Sequence, residues 1–439
     1  MYRTHVLAVS FFAKEPTSHS LTCYNKDTSI LKSEVIRMNI HALYHKSKSE
    51  YAYAFDQNTL HLLIRTAKDD FNDVSVIIGD PFQWKNGLWI HKQLPMVRRY
   101  QTTLFDYYFV AYHSDFFRTK YQFLLSNEDG HYVFGARGLK SVTLDQKEVL
   151  YDLSNYFNYP YINHEDLLDT PTWVKDTVWY QIFPDRFANK DNPSHHQWGH
   201  LPVSNHELYG GNLKGIMERL PYLRDLGITG IYFTPIFKAP SAHKYDTADY
   251  FLIDPQFGTN EEFKQLVTMA HSLGIKIILD GVFNHAGYDH PFFQDVIKHG
   301  KQSIYKNAFY IKKFPVVNFN LTADGKPAGT HDKTDLNYLT FAFTPYMPKW
   351  NTSDSLAQKH LLDCVKYWIE YADIDGWRLD VSNEVSHDFL RLLRKAAKSV
   401  KSDIFIFGEN WDSSLPWLGG DQVDSVMNYD WIYPVWQYF

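Results

Sequence analysis

The sequence predicts an α/β fold: a (β/α)8 barrel of the TIM type, incomplete with about six of eight strands present, behind an N-terminal all-β sandwich. Three observations support it. Short strands without helical periodicity fill residues 38–160, strands alternate with helices over 173–439, and two of the later strands end in a carboxylate, Asp380 and Glu409. Barrel active sites lie at the C-terminal ends of the strands, so both acids are candidate functional groups.

The composition describes a globular, mildly acidic protein. The chain has 439 residues, 44% of them hydrophobic, which is enough for a large core and more than one domain. The formal net charge is −6 and no block of Lys or Arg stands out, so we expect neither nucleic acid nor an anionic membrane as partner. Aromatic residues make up 17%, and their flat faces suit stacking on pyranose rings, although an aromatic core explains most of them.

Cysteine usage and the N-terminus bear on localisation. Cys23 and Cys364 are too few for a disulfide framework, which predicts a reducing, cytoplasmic location. No apolar run reaches the length of a membrane span. Residues 6–13 weakly imitate a signal peptide but lack a small-residue cleavage site. Residues 1–37 are polar and patternless and precede Met38, so we expect a disordered extension or a wrongly assigned start.

The region 38–160 is rich in short strand patterns. Strands are predicted at 51–55, 60–66, 74–79, 107–112, 121–126 and 131–134. Residues 127–130 (Asn-Glu-Asp-Gly) predict a tight turn, with Gly130 supplying a positive φ. Regular strand spacing favours a small β-sandwich.

From residue 173 the pattern alternates between strand and helix. Six strands are predicted, at 178–183, 227–237, 275–283, 373–380, 404–410 and 423–429. Helices are predicted at about 260–273, 353–371 and 387–400, the second with an apolar stripe through Leu361, Val365, Trp368 and Ala372. The alternation predicts a partial catalytic barrel over 173–439.

A long stretch separates the third and fourth predicted strands. One βαβ step needs roughly 30 residues, far fewer than lie between 283 and 373. We therefore expect an inserted subdomain at 286–350, a loop-rich lobe over a cleft. The chain stops after the sixth predicted strand, so we expect a fragment whose open barrel exposes sheet edges.

The two strand-end acids suit glycoside hydrolysis. A retaining glycosidase pairs an ionised nucleophile with a protonated acid, their carboxyl groups roughly 5 to 5.5 Å apart. Arg378 lies two residues before Asp380 on the same strand face, so we expect the cation to lower the pKa of Asp380, as a nucleophile requires. The alternative is a structural Arg–Asp pair within the core.

Glu409 fits the acid/base. Phe405, Phe407 and Trp411 could desolvate its carboxyl group, and we expect this to raise the pKa of Glu409. The alternative is a solvated strand-end glutamate.

Five ordered segments carry a family resemblance. They are 227–237, 280–285 (DGVFNH), 347–351 (MPKWN), 376–384 (GWRLDVSNE) and 408–410 (GEN). In this order they resemble the signature blocks of the α-amylase superfamily of glycoside hydrolases. Together with 243–251 (HKYDTADYF), they are most similar to the subgroup of neopullulanases, cyclomaltodextrinases and maltogenic amylases.

The resemblance implies an activity and site roles. It implies a retaining hydrolase of α-glucans, such as maltooligosaccharides, cyclodextrins or pullulan, with Asp380 as nucleophile and Glu409 as acid/base. Substrate-binding roles fall on Arg378, His285, Tyr245, Trp411 and Glu384, and supporting roles on Asp280, Asn284 and Asp246. It also implies that the N-terminal sandwich resembles a starch-binding domain and forms a homodimer in the full-length protein.

The sequence departs from the subgroup at several positions. Asn410 stands where an aliphatic residue is usual, and Trp350 where Leu is usual, so subsite preferences are expected to differ. The calcium loop of the subgroup keeps Asn189 and Asp191 here, but Asn212 replaces an Asp and Ser194 and His195 replace further oxygen donors. Fewer charged oxygens weaken calcium binding. We therefore predict no cofactor, with these residues only as weak calcium candidates.

One catalytic element of the family has no counterpart. The third family carboxylate, in a His-Asp pair after the seventh strand, is absent here, so we expect residues 1–439 alone to be inactive.

Other functions stay open at this point. The alternatives are another α-amylase superfamily specificity, such as an oligo-1,6-glucosidase or an α-amylase, and a non-catalytic glucan-binding or interaction protein. The sequence contains no G-x-S-x-G, P-loop or G-x-G-x-x-G motif. His195, His196 and His200 lack further ligands at zinc spacing.

Overall fold

The computed structural model of the protein describes residues 38–189, 208–328, 334–411 and 413–439. The predictions for residues 1–37, for Asp191 and for the histidines at 195–200 lie outside these ranges. Within them, no helix has the length and apolarity that crossing a membrane requires. The described chain forms an antiparallel N-terminal part and a parallel sheet flanked by helices.

The N-terminal part consists of short antiparallel strands and one helical turn. These elements are β1 (Ala52–Ala54), β2 (Thr59–Ala67), β3 (Asp73–Gly79), β4 (Trp84–Lys85), β5 (Leu88–Trp89), β6 (Lys92–Pro95), β7 (Val97–Gln101), β8 (Phe105–His113), β9 (Thr119–Asn127), β10 (Gly130–Gly135), β11 (Gly138–Val142), α1 (Lys147–Leu150) and β12 (Phe157–Tyr159). One sheet has the order β1-β2-β8-β7. The other has the order β11-β10-β9-β3-β6, and β12 also pairs with β9.

Alternating side chains hold the two sheets together. On β2, Leu60, Leu62 and Ile64 are buried while the residues between them are not. They share one core with Val76 of β3 and Phe123 of β9, in the other sheet. Buried apolar side chains of two sheets meeting in one core define the predicted sandwich.

The β9–β10 hairpin forms where the turn was predicted. Asn127 pairs with Gly130, leaving Glu128 and Asp129 as the loop, and Gly130 has a φ of 142°. The sequence analysis missed β4 to β7, β11 and β12. β7 is exposed along its whole length, and β4 and β5 have two residues each, so none shows the apolar alternation that identifies a strand.

The second part is built on a parallel sheet of six strands. In spatial order they are β13 (Trp179–Ile182), β14 (Gly230–Phe233), β17 (Lys276–Gly281), β18 (Gly376–Leu379), β19 (Phe405–Gly408) and β20 (Ser425–Val426). A separate hairpin contains β15 (Phe237–Lys238) and β16 (Asp249–Ile253). All six predicted barrel strands are therefore present and follow one another in chain order, as in a partial barrel.

Helices connect these strands. They are α2 (Pro184–Phe187), α3 (Leu213–Asp225), α4 (Asn260–Ser272), α5 (Pro291–His299), α6 (Ser355–Ala372), α7 (His387–Val400) and α8 (Tyr429–Tyr438). Short 3₁₀ segments occur at Ile40–Ala42, His164–Asp166, Thr172–Asp176, Gly300–Gln302, Phe341–Phe343, Ser382–Glu384 and Leu415–Trp417. α4, α6 and α7 agree with the predicted helices, whereas α3 was not predicted.

α6 shows how local sequence sets the helix limits. The side chain of Asp354 accepts hydrogen bonds from the amides of Leu356 and Ala357 and so caps the first turn. Asp373 takes a left-handed conformation that ends the helix. The predicted stripe of Leu361, Val365, Trp368 and Ala372 is buried against the sheet.

Residues 286–350 contain α5 and otherwise short bridges and turns. A bridge from His285 to Lys349 ties the region to the segment that follows β17, and a bridge from Phe309 to Trp350 links two parts of the region itself. Its buried aromatic side chains, among them Phe293 and Tyr338, belong to the barrel core cluster. The region therefore packs onto the C-terminal edge of the parallel sheet.

Candidate active site

The register of the parallel sheet assembles the site. Asp280 on β17 pairs with Arg378 on β18, and Gly408 on β19 pairs with Leu379. Asp380 and Glu409 follow β18 and β19 directly, so both lie at the C-terminal edge. Neighbouring parallel strands in register therefore bring three acids and one cation together.

The Arg378 guanidinium is the centre of this cluster. Its Nη1 lies 2.9 Å from both carboxylate oxygens of Asp280 and 2.8 Å from Oδ1 of Asp380. Its Nη2 lies 2.7 Å from Oε2 of Glu409. The carboxyl groups of Asp380 and Glu409 therefore bind the same planar guanidinium and lie close to each other, as expected for a catalytic pair.

Asp280 is buried and has two further partners. The hydroxyl of Tyr232 donates to its Oδ2 at 2.6 Å, and that of Tyr245 donates to the same oxygen at 3.2 Å. Burial raises the pKa of Asp280, against the attraction of Arg378. Asp280 thus holds the Arg378 guanidinium in place next to Asp380 and Glu409.

The pKa of Asp380 is raised, not lowered as predicted, although Arg378 itself acts in the expected direction. Burial, followed by repulsion from Asp280, raises the pKa of Asp380 well above its ordinary value, and the attraction of Arg378 is too small to reverse this. Besides burial, one cation serves three carboxylates, so the fully ionised cluster carries excess negative charge. A buried cluster of this kind tends to retain a proton as a group.

Glu409 has polar contacts. Besides Arg378, it accepts a hydrogen bond from the amide of Val381 at 3.0 Å and one from the Tyr429 hydroxyl at 3.4 Å. Trp411, expected to desolvate the acid, is 45% exposed. The surroundings of Glu409 are therefore less apolar than predicted. The Val381 amide follows β18 and the Tyr429 hydroxyl follows β20, and neither contact was predicted from the sequence.

Val381 supplies one of those contacts through an unusual backbone. Its φ and ψ are both 45°, a left-handed conformation that is uncommon for a β-branched residue. This conformation follows Asp380 directly and directs the Val381 amide to Glu409. No local pattern predicts this conformation, since the run contains no glycine at this position.

His285 is fully buried and lies beside the cluster. Burial, with a smaller effect from Lys349, lowers the pKa of His285 to about 3, so the imidazole is neutral. Its ring stacks on Phe341 at a centroid distance of 5.0 Å. Within the described residues, Nε2 of His285 has no hydrogen-bond partner. A buried ring nitrogen without a partner is suited to a ligand hydroxyl.

Asn284 and Glu384 meet at a lysine that the sequence analysis did not select. The ammonium group of Lys349 contacts Oδ1 of Asn284 and lies 3.0 Å from the backbone oxygen of Glu384 and 3.5 Å from its carboxylate. Burial lowers the pKa of Lys349. Lys349 lies within the MPKWN segment that carries the family resemblance, so the sequence already indicated it as a candidate site residue.

Tyr245 lies on a tightly held loop. The preceding residue, Lys244, is buried and forms an ion pair with Asp254 at 2.8 Å. Asp246 accepts a hydrogen bond from the Ser241 hydroxyl. The loop thus presents the Tyr245 hydroxyl to Asp280, and Asp246 supports it through Ser241.

The two unusual residues in the family blocks are both interior. The ring of Trp350 stacks on Phe309 at 4.5 Å, and its Nε1 donates to the Tyr250 hydroxyl at 3.1 Å. Asn410 is buried and accepts a hydrogen bond from Ser382. Trp350 therefore replaces Leu in the core, and the expected effect on substrate preference has no support at this position.

The described calcium candidates are engaged elsewhere. Oδ1 of Asn212 accepts from the Gly215 amide at 2.8 Å and caps α3, while its amide nitrogen donates to Asn189 at 3.3 Å. In the ranges that the structure describes, no three His, Cys, Asp or Glu side chains form a potential metal cluster. The side-chain oxygen of Asn212 thus already accepts one hydrogen bond within the helix cap.

The fold and the site together define the class of protein. Residues 181–439 match the family described as alpha amylase, catalytic domain, and residues 38–163 match the alpha amylase N-terminal ig-like domain. The chain belongs to the α-amylase family.

Individual relatives refine this placement. The chain is 45% identical over 397 residues to a cyclomaltodextrinase of Geobacillus thermopakistaniensis (strain MAS1), covering 89% of this chain and 64% of that protein. It is 45% identical over 392 residues to a maltogenic alpha-amylase of Bacillus acidopullulyticus, covering 88% and 64%. A solved cyclomaltodextrinase structure matches with a TM-score of 0.79 at 40% identity, over 91% of this chain and 65% of that one. The chain thus spans somewhat less than two thirds of these relatives.

Proposed function

We propose that the protein containing this chain is a retaining hydrolase of α-glucosidic bonds in maltooligosaccharides, cyclodextrins or pullulan. The observation that carries the proposal is the contact of one buried guanidinium, that of Arg378, with Asp280, Asp380 and Glu409. Relatives named cyclomaltodextrinase, maltogenic alpha-amylase and neopullulanase support the substrate class.

The first step forms a covalent intermediate. An oxygen of Asp380 attacks the anomeric carbon while the bond to the leaving oxygen breaks, and Glu409 gives its proton to that oxygen. In the second step Glu409 takes a proton from water, the water oxygen bonds to the anomeric carbon, and the bond to Asp380 breaks. Both carboxyl groups return to their starting states.

The cycle depends on one proton shared within the cluster. Three acids around one cation favour retention of one proton, and the reaction needs one proton at the start. The first step requires this proton on Glu409, the acid that protonates the leaving oxygen. Arg378 stays charged throughout and stabilises whichever of the two acids is ionised at each stage.

Neighbouring groups would position the sugar. Neutral His285 offers its unpaired Nε2 to a hydroxyl, and the Tyr245 ring offers a stacking face beside Asp280. We place Trp411 and Glu384 on the acceptor side, where Lys349 adds a cation that sequence reasoning missed. The reaction as written uses carboxyl groups and water, so we propose no cofactor.

Cellular context follows from the relatives. A relative from Bacillus subtilis (strain 168), 43% identical over 406 residues, is named intracellular maltogenic amylase. We propose a cytoplasmic role in carbohydrate breakdown, with α-glucan as partner, no nucleic acid, and a homodimer formed through the N-terminal sandwich.

Product analysis tests the proposal. The reading frame containing residues 1–439 is expressed in full and incubated with β-cyclodextrin, pullulan and isomaltose. We expect release of maltose or panose from the first two and little glucose from isomaltose. Rapid cleavage of isomaltose alone favours an oligo-1,6-glucosidase, and glucan binding without any products favours a non-catalytic binding protein.

A further inference from the structure

Two buried polar side chains lie next to the catalytic pair and take no part in the reaction as written. Ser382 follows Asp380 by two residues, and Asn410 follows Glu409 by one. Ser382 is fully buried, and only 1% of Asn410 is exposed. Because neither side chain reaches solvent, an effect on the reaction has to pass through the residues that they contact.

The backbone of Glu409 is held at two points of the segment that begins at the end of β18. The Glu409 amide donates to the carbonyl of Leu379 at 2.9 Å, and the Glu409 carbonyl accepts from the amide of Ser382 at 3.1 Å. Asp380 and Val381 are the residues between these two points. The Ser382 contact therefore closes a hydrogen-bonded ring that contains both acids of the proposed mechanism.

The Ser382 hydroxyl reinforces this ring from the protein interior. Its Oγ lies 3.1 Å from the carbonyl oxygen of Glu409 and also contacts Oδ1 of Asn410. A serine hydroxyl carries one hydrogen, so these two oxygens share it. A Cβ added to Gly408 would overlap the same Oγ, so the glycine before Glu409 is what allows the hydroxyl to come this close.

We propose that Ser382 and Asn410 are a positioning pair for Glu409, the acid/base of the proposed function on which this inference rests. Asn410 orients the Ser382 hydroxyl, and Ser382 holds the Glu409 carbonyl through its amide and its hydroxyl. The pair thereby fixes the peptide group from which the catalytic side chain extends. Val381, in the same turn, donates its amide to the Glu409 carboxyl group at 3.0 Å. The direction of that carboxyl group toward a leaving oxygen therefore depends on the pair.

The pair is unfavourable for stability alone. Nδ2 of Asn410 is buried and has no hydrogen-bond partner among the described residues. A buried donor without a partner destabilises a fold, and an aliphatic side chain of similar size at this position would avoid the penalty. Local features that oppose stability occur chiefly at functional sites, where a fixed geometry is needed. Asn410 thus has the character of a functional residue rather than a core residue.

Substrates with two kinds of leaving group test the inference in the full reading frame. Maltotriose needs a proton on its leaving oxygen, whereas fluoride departs from α-maltosyl fluoride as an anion. The value of kcat/KM measures stabilisation of the first transition state relative to free enzyme and substrate. We expect Ser382→Ala and Asn410→Val each to lower kcat/KM for maltotriose by about tenfold, and for α-maltosyl fluoride by less than about threefold.

Two further variants complete the comparison. The double variant Ser382→Ala/Asn410→Val should lose no more than Ser382→Ala alone, because the two residues act as one unit. Ser75→Ala is the matched control, at a buried serine of the N-terminal sandwich that accepts a hydrogen bond from Gln93, and it should keep both rates. If Ser382→Ala does not fold, Asn410→Val alone decides by the same comparison of substrates.

Glu409→Gln separates this inference from the proposed function. If Glu409→Gln lowers both rates equally, or wild type hydrolyses neither substrate, the acid/base assignment fails and the positioning pair fails with it. If Glu409→Gln loses the maltotriose reaction selectively, the assignment stands and the pair variants decide.

Three results would then overturn the pair while leaving the proposed function intact. Equal losses on both substrates, or no loss on either, mean that the pair does not act through the acid/base. Losses that multiply in the double variant mean that Ser382 and Asn410 act independently. A changed ratio of α-1,4 to α-1,6 cleavage of pullulan by Asn410→Val, with equal effects on the two leaving groups, makes Asn410 a specificity residue instead.

Discussion

The Nη1 atom of Arg378 lies 2.9 Å from both carboxylate oxygens of Asp280, and the same guanidinium reaches Asp380 and Glu409. This contact anchors the arginine at the strand edge and sets the distance between the two acids. It also fixes the charge imbalance of the site, because Asp280 takes up much of the available positive charge.

Replacing Arg378 with lysine should remove most activity. An ammonium group is a point charge and cannot contact three carboxylates in one plane, so Asp380 and Glu409 lose their common support. We expect kcat/KM on maltotriose to fall by about a hundredfold or more. The surface variant Arg391→Lys, whose partners are Asp388 and Asp421, is the control and should keep full activity. A loss below fivefold in Arg378→Lys would contradict the organising role.

Asp380→Asn should stabilise the protein while it abolishes hydrolysis. The pKa of Asp380 is raised in the fold, so the ionised carboxylate is less favourable there than in the unfolded chain. This penalty is absent below the ordinary pKa of 3.8 and develops as the pH rises through the higher folded pKa. At pH 7 we expect the free energy of unfolding of Asp380→Asn to exceed that of wild type by about 1 kcal/mol or more, seen as a higher melting temperature. Near pH 4 we expect little difference between the two proteins. A lower melting temperature at pH 7 would refute the charge imbalance.

A second buried aspartate should behave in the opposite way. Asp375 lies at the start of β18, bonded to His271 at 2.6 Å and Lys276 at 2.8 Å. Hydrogen bonds from these groups lower the pKa of Asp375 despite burial. Its contribution to stability is therefore present above pH 3.8 and is lost as the pH falls through the lower folded value.

Asp375→Ala should thus destabilise the protein by about 3 kcal/mol at pH 7, since it leaves buried partners unpaired. Thermal unfolding measures this effect. Asp373→Ala, at a side chain 70% exposed two residues away, is the matched control and should change stability by less than about 1 kcal/mol. Equal effects of the two substitutions would contradict the account.

Trp350→Leu should change stability more than specificity. The indole is buried, stacks on Phe309 and donates to Tyr250, so leucine leaves a cavity and removes one hydrogen bond from the Tyr250 hydroxyl. We expect destabilisation by about 2 to 4 kcal/mol in thermal unfolding, with an unchanged product ratio from β-cyclodextrin and pullulan. A changed ratio at unchanged stability would restore the expectation that Trp350 sets substrate preference.

Sequence reasoning succeeded where local pattern determines structure. Asp380 and Glu409 follow buried apolar strands, and parallel strands in register place their ends together, so their meeting at Arg378 was predictable. The helix at His387–Val400 was predicted to the residue, since its apolar stripe is continuous and Ser386 caps it.

Contacts between distant segments were not predictable. Lys349 joins the site because residues 286–350 fold back on β17, and the stacking of Phe341 on His285 depends on the same return. The pKa of Asp380 was predicted from one neighbour in sequence, whereas Asp280, a hundred positions earlier, and burial determine its direction. The left-handed Val381 likewise reflects tertiary packing rather than local sequence.

The most direct test asks which atom the sugar becomes bonded to. The full reading frame is incubated with 5-fluoro-α-glucosyl fluoride, digested with pepsin and analysed by mass spectrometry. We expect a fluoroglucosyl adduct on the peptide containing Asp380 that accumulates in wild type as hydrolysis stops and is absent in Asp380→Asn. Turnover of maltotriose by wild type with an adduct on a different residue, or with inversion at the anomeric carbon and no adduct, would contradict it.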